Sequence, residues 1–254
     1  MSHLTQIQSR NLTRILQAYP LPTDGLLVYI ETSGFTPGSA VVIDHAVCNL
    51  VNGTIPDGGM VSCGVLNWDG LLPDALSMRL VSDLDRIQAG QVTSRRDTRP
   101  AFPYTGAVLS NSDKEGYATM SAAVAAIAAA MLQGRTIIGH GLLSFGWPFL
   151  KPFLPVGTNE GAYADMVLDR VYDTANIEKA MSEGDEWMPA VGQPFASWQR
   201  MVGGYYSKCK WSLRTALFEK YGLQVTPGRL YLAEDMLMSY VDILNQWRQI
   251  ASGS

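Results

Sequence analysis

Between Pro194 and Arg229 the chain carries Arg200, Lys208, Lys210, Arg214, Lys220 and Arg229 against one acid, Glu219. Six positive charges minus one negative give +5 in a chain whose total is −4. Trp198, Tyr205, Tyr206 and Trp211 are interleaved with these cations. Cations mixed with aromatics in this way can follow a phosphate backbone and stack unpaired bases. Each stacked base contributes about 1–3 kcal/mol with little regard to sequence. Trp211 opens a helical pattern and is expected in the core, so Tyr205 and Tyr206, beside Gly203 and Gly204, are the stacking candidates. The glycine pair predicts a flexible segment that a ligand orders. Arg95, Arg96 and Arg99 make a second cluster, whose planar guanidinium groups suit bidentate phosphate contacts. The competing reading of these three is a solvated loop.

The elements that must position these groups can be read from periodicity. Leu4, Ile7, Leu12, Ile15 and Leu16 predict an amphipathic helix over 4–19, closed by Pro20 and Pro22. Leu26–Glu31, Ala40–Leu50 and Met60–Leu66 read as strands separated by turn-rich stretches. A long polar connection runs from Asp69 to Tyr117, and its length alone marks it as functional or partly helical. Ala118–Gln133 is an Ala-rich helix ended by Gly134, followed by a strand over Arg135–Gly139. A helix over Phe145–Phe153, a fifth strand over Val167–Thr174, and helices over Asn176–Ser182, Ser212–Tyr221 and Leu232–Ile250 complete the series. Strands joined by tight turns pair antiparallel, and strands joined through helices run parallel. The expected fold is therefore α/β, a mixed sheet of about five strands flanked by helices, in the order of a ribonuclease H-like fold. Residues 26–254 read as one domain of this kind, with 1–25 as an N-terminal amphipathic helical extension.

Three short stretches then resemble the motifs of the DEDD superfamily of 3′–5′ exonucleases. The first motif is a strand ending D-x-E, followed by T-x-G, and this chain has Tyr29-Ile30-Glu31-Thr32-Ser33-Gly34. The second is a strand followed by H-N-x-x-F-D. Here it reads His140-Gly141-Leu142-Leu143-Ser144-Phe145-Gly146, with Tyr172-Asp173-Thr174 resembling the strand-ending D-T that follows in many relatives. The third is Y-x-x-x-D at a helix start, matched by Tyr231-Leu232-Ala233-Glu234-Asp235 and preceded by Trp211-Ser212-Leu213-Arg214. The likeness spans residues 26 to 248 and is to the tyrosine variant of the family.

The resemblance implies a chemistry and also its impairment. Members of that family hold two divalent cations among four carboxylates. One cation activates a water and the other stabilises the leaving oxygen. Here Glu31 and Asp235 remain, but Tyr29 and Gly146 stand at the other two positions. A phenol with a pKa near 10 is a poor substitute for a carboxylate at neutral pH, and glycine has no side chain to offer. Glu31, Tyr231 and Asp235 are therefore read as vestigial, with no cofactor expected. Mg²⁺ or Mn²⁺ enters only if the site is rearranged, with Glu31, Asp173 and Asp235 as its ligand candidates. Of the acids that could replace a lost ligand (Asp44, Asp165, Asp169 and Asp173), Asp173 is the best placed, at the end of a neighbouring strand. Each of these residues also has a structural reading: His140 as a hydrogen-bonded core histidine, Tyr231 as a core aromatic, Asp235 as a charge near the positive end of a helix dipole.

The bulk numbers set bounds on function. With 254 residues, 47% of them hydrophobic, the chain is long enough for a sizeable core. A pI of about 5.4 excludes a globally basic nucleic-acid binder, so any anionic partner is held by local clusters. Cys48, Cys63 and Cys209 form no CxxC pair, which argues against a zinc site and for reduced thiols in a cytoplasmic protein. The N-terminus lacks the apolar region of a signal peptide, and the apolar stretch Ala122–Leu132 is too short to span a bilayer. The leading expectation is a single-stranded nucleic-acid binder, DNA before RNA, on an impaired exonuclease fold, acting as an accessory to replication or transcription. Its expected contacts are Arg95, Arg96, Arg99, Arg200, Tyr205, Tyr206, Lys208, Lys210 and Arg214. The alternatives are an active metal-dependent exonuclease and a module that docks on a polymerase or other partner through its N-terminal helix or the surface around Trp147.

Overall fold

The computed structural model describes residues 4–32, 42–65, 116–154, 167, 169–203 and 233–253. Five strands, β1 (Gly25–Thr32), β2 (Val42–Leu50), β3 (Met60–Val65), β4 (Ile137–Gly139) and β5 (Val171–Asp173), form one sheet in the order β3-β2-β1-β4-β5. β2 runs antiparallel to β1 and β3, while β4 and β5 run parallel to β1. Six α-helices lie among the described residues: α1 (Gln6–Ala18), α2 (Gly116–Leu132), α3 (Trp147–Leu150), α4 (Thr174–Glu183), α5 (Phe195–Gly203) and α6 (Ala233–Ser252). This is the expected α/β mixed sheet flanked by helices, an arrangement consistent with the ribonuclease H-like fold. None of the described helices is long and apolar enough to cross a membrane.

β1 is buried from Gly25 to Val28 and again at Ile30 because both faces of the sheet are covered. A strand with two buried faces reads as a continuous apolar run, not an alternating one. Leu26, Val28 and Ile30 join Val47, Ile137 and Val171 under α2 and α3. Leu27 joins Ala46, Cys48, Ile138 and Tyr172 on the opposite face, under α1, α4, α5 and α6. The hydrophobic effect at about 25 cal/mol per Å² of buried apolar surface makes this two-sided burial the main driving force for the fold.

The N-terminal helix starts at a reciprocal capping box: the Thr5 hydroxyl accepts from the Gln8 amide N–H and the Gln8 side chain accepts from the Thr5 N–H. Its apolar residues Leu12, Ile15 and Leu16 are buried against the same core as α4 and α6. The segment expected as an extension therefore forms part of one wall of the domain. Tyr19 then fixes the exit, its hydroxyl donating to the Gln193 carbonyl and its own carbonyl accepting from the Tyr172 hydroxyl, both at 2.7 Å.

Several elements differ from the sequence expectation. The fifth strand covers only Val171–Asp173, because Asp173 caps a helix that begins at Thr174. The helix expected over Phe145–Phe153 is three short pieces: a π-turn at Leu142–Gly146, α3, and a 3₁₀ turn at Lys151–Phe153. Pro148 and Pro152 sit in the first positions of α3 and of the 3₁₀ turn, where a missing N–H is tolerated. Residues Phe195–Gly203, read as the opening of a flexible segment, are helical, with Trp198 fully buried and its indole N–H donating to the Trp187 carbonyl at 2.8 Å. The expected helix at Ser212–Tyr221 and almost all of the Asp69–Tyr117 connection lie outside the described residues.

β5 is the last strand of the sheet, and a side chain completes its outer edge. Gln199 of α5 accepts from the Asp173 N–H and donates to the Val171 carbonyl, both at 2.8 Å. Replacing Gln199 with Leu keeps the volume but strands two buried backbone groups. At roughly 1–3 kcal/mol for each unsatisfied group, Gln199→Leu should lower stability by about 2–4 kcal/mol in a urea titration. A shift below about 0.5 kcal/mol, the scale of an ordinary surface substitution, rules out this edge role.

Candidate functional site

In open α/β sheets ligands bind beyond the carboxyl ends of the parallel strands, where the strand order reverses. In this sheet that point lies between β1 and β4, and the motif residues Tyr29, Glu31, His140 and Asp173 gather at or near those strand ends. Tyr29 and Glu31, two apart on β1, face the same side. The Tyr29 hydroxyl donates to the Glu31 carboxylate at 2.8 Å. The phenol thus occupies one oxygen of the Glu31 carboxylate.

Directly across the β1–β2 ladder from Glu31 stands Asp44. Its carboxylate is almost fully buried and spent on the backbone: one oxygen accepts from the His45 N–H at 2.8 Å, the other from the Ala233 N–H at 2.7 Å. Ala233 is the first residue of α6, so Asp44 anchors the helix that carries the third motif. A carboxylate there also faces the positive end of the helix dipole. The next residue, His45, is buried with Nδ1 3.0 Å from the Gly64 carbonyl and Nε2 2.7 Å from the Ser62 hydroxyl. A carbonyl only accepts, so Nδ1 carries a proton. Burial holds its pKa below the ordinary histidine value, against the opposing effect of the Gly64 bond.

Asp173, the preferred replacement ligand, is committed elsewhere. One of its oxygens accepts from the Gly141 and Ala175 N–H groups at 2.7 and 3.0 Å, and the other from the Leu143 N–H at 2.8 Å. It therefore caps α4 and clamps the loop that follows β4. Gly141 makes the clamp possible, since its φ of 72° is left-handed and suits glycine. Burial raises the Asp173 carboxyl to about 6, while the N–H donors pull it down.

Beside this clamp runs a hydrogen-bonded chain. His140 Nδ1 lies 3.0 Å from the Thr174 hydroxyl, which lies 2.5 Å from the Tyr240 hydroxyl, and both hydroxyls reach the Gly139 carbonyl at 3.2 and 3.1 Å. Thr174 and Tyr240 are buried, and the His140 ring meets Tyr240 edge-on. The chain fixes the imidazole of the second motif against α6.

Gly146, at the second motif's aspartate position, is buried. A Cβ there would lie 2.7 Å from a methyl of Leu142, itself a core side chain. Leucine fills the space into which a carboxylate would have to project. On β3, Cys63 is exposed with its thiol 4.0 Å from the Glu234 carboxylate. Partial burial and the Glu234 and Asp44 carboxylates push that thiol up.

Of the other expected site residues, Arg200 is exposed on α5 and Asp169 is exposed just before β5. Asp235 occupies the third position of α6, and its side chain lies outside the described residues. So do Arg95, Arg96, Arg99, Asp165, Tyr205, Tyr206, Lys208, Lys210, Arg214 and Tyr231. Asp44 and Asp173 accept from backbone N–H groups, Gly146 supplies no side chain, and among the described residues no three His, Cys, Asp or Glu side chains are grouped to hold an ion. No protein-family model matches the chain, and no curated protein matches it.

The roles of Thr174, Tyr240, Leu142 and Gln199 carry no signal in a single sequence. Asp173 does carry one, as an aspartate immediately before a helical pattern, the N-cap position. Asp44 carries another, sharing the alternation of Ala46 and Cys48 that faces the core.

Asp44→Asn places an amide donor against one of two backbone donors. Faster hydrogen exchange confined to the first turn of α6, with a loss of about 1–3 kcal/mol, is the expected outcome, and unchanged protection there excludes the anchoring role. Asp173→Asn should cost a similar amount at pH 7. Its folded pKa of about 6 exceeds the unfolded value, so the native state binds more protons in between. Stability from this group is therefore full below about pH 4 and lost as pH rises through 6. The stability gap between wild type and Asp173→Asn should widen from pH 7 to pH 4.5. His45 titrates in the opposite sense in both proteins and cancels in the difference. Urea midpoints at the two pH values decide this, and a gap that narrows on acidification refutes it.

Proposed function

We propose that this protein is a single-stranded nucleic-acid binder, for DNA before RNA, built on a fold like that of a 3′–5′ exonuclease but not hydrolytic, and serving replication or transcription as an accessory. The observation that carries the reading is the Tyr29–Glu31 hydrogen bond. It ties up the surviving carboxylate of the first motif with the side chain that stands where a second carboxylate is needed. Leu142 packed against Gly146 and the engagement of Asp44 and Asp173 by backbone N–H groups point the same way. Support for a nucleic-acid ligand comes from charge: +5 between Pro194 and Arg229, with Arg200 exposed on α5 where that stretch begins. The burial of Leu12, Ile15 and Leu16 takes those three side chains away from docking through the N-terminal helix and leaves Ile7 exposed on it.

Fluorescence anisotropy with a labelled oligonucleotide tests the binding. Affinity should fall steeply between about 50 and about 200 mM salt. Arg200→Ala, Lys208→Ala and Lys210→Ala should each reduce the log–log salt slope by about 1, and Tyr205→Ala or Tyr206→Ala should cost about 1–3 kcal/mol. Absence of binding at low salt overturns the proposal. The strand should keep its length with Mg²⁺ or Mn²⁺. Shortening that vanishes in both Glu31→Ala and Asp235→Ala would establish an active exonuclease instead.

A further inference from the structure

No further inference is drawn: the strongest candidate, the buried hydrogen-bonded chain from Tyr240 through Thr174 to His140 at the C-terminal ends of β4 and β5, belongs to the site already described.

Discussion

Three chain segments meet at the carboxylate of Asp173. It sits at the end of β5, begins α4, and accepts the backbone N–H groups of Gly141 and Leu143 from the loop after β4. Burying a charged carboxylate is unfavourable unless its lone pairs are used, and here three backbone donors use them. The consequence is positional. The β4 loop carries His140, and α4 carries Thr174, so the relative placement of the second motif's residues follows from this one group. Burial moves its pKa up toward neutrality, and the backbone N–H donors oppose that shift.

A parallel constraint acts on the other side of β1. Asp44 holds the first N–H of α6, and α6 delivers Tyr240 to the chain that fixes His140. Two aspartates thus lock two helix starts against the sheet, one on each flank of the first motif. Both would be attractive metal ligands on charge alone. Their geometry engages them with the backbone, and Glu31, the acid of β1, accepts from the Tyr29 hydroxyl. Groups that a hydrolase would direct at a cation are here turned inward to hold the scaffold.

Much of the architecture was legible in the sequence because β1 and β2 are buried on both faces. Leu26–Glu31 and Ala40–Leu50 are uninterrupted enough to be read as strands, and their short connections gave the antiparallel pairing. The Ala-rich pattern of α2 and the long periodicity of α6 were likewise readable. The errors fall where a tertiary contact overrides a local pattern. Val167–Thr174 looks like one strand, yet the Asp173 cap converts its end into a helix and Val167 and Asp169–Arg170 are helical. Phe195–Gly203 was masked by the glycines that follow it, although Trp198 and Val202, four residues apart, both face the core. Of the candidate site, the substitutions at Tyr29 and Gly146 were visible in the residues themselves. The hydrogen bond between Tyr29 and Glu31 and the packing of Leu142 over Gly146 were not, because they depend on rotamers and packing that no spacing encodes.

The pairing of Gln199 with β5 bears on how the sheet ends. A strand at the margin of a sheet presents a row of unmatched amides and carbonyls, a template on which a foreign strand can add. Natural proteins often blunt such margins with charge or proline. Here the margin is three residues long, and its outward groups at Val171 and Asp173 are both consumed by one carboxamide from α5. The side chain imitates a single residue of a sixth strand. Growth of the sheet in that direction is closed by covalent membership of the chain itself, so at the β5 margin aggregation by strand addition requires α5 to leave first.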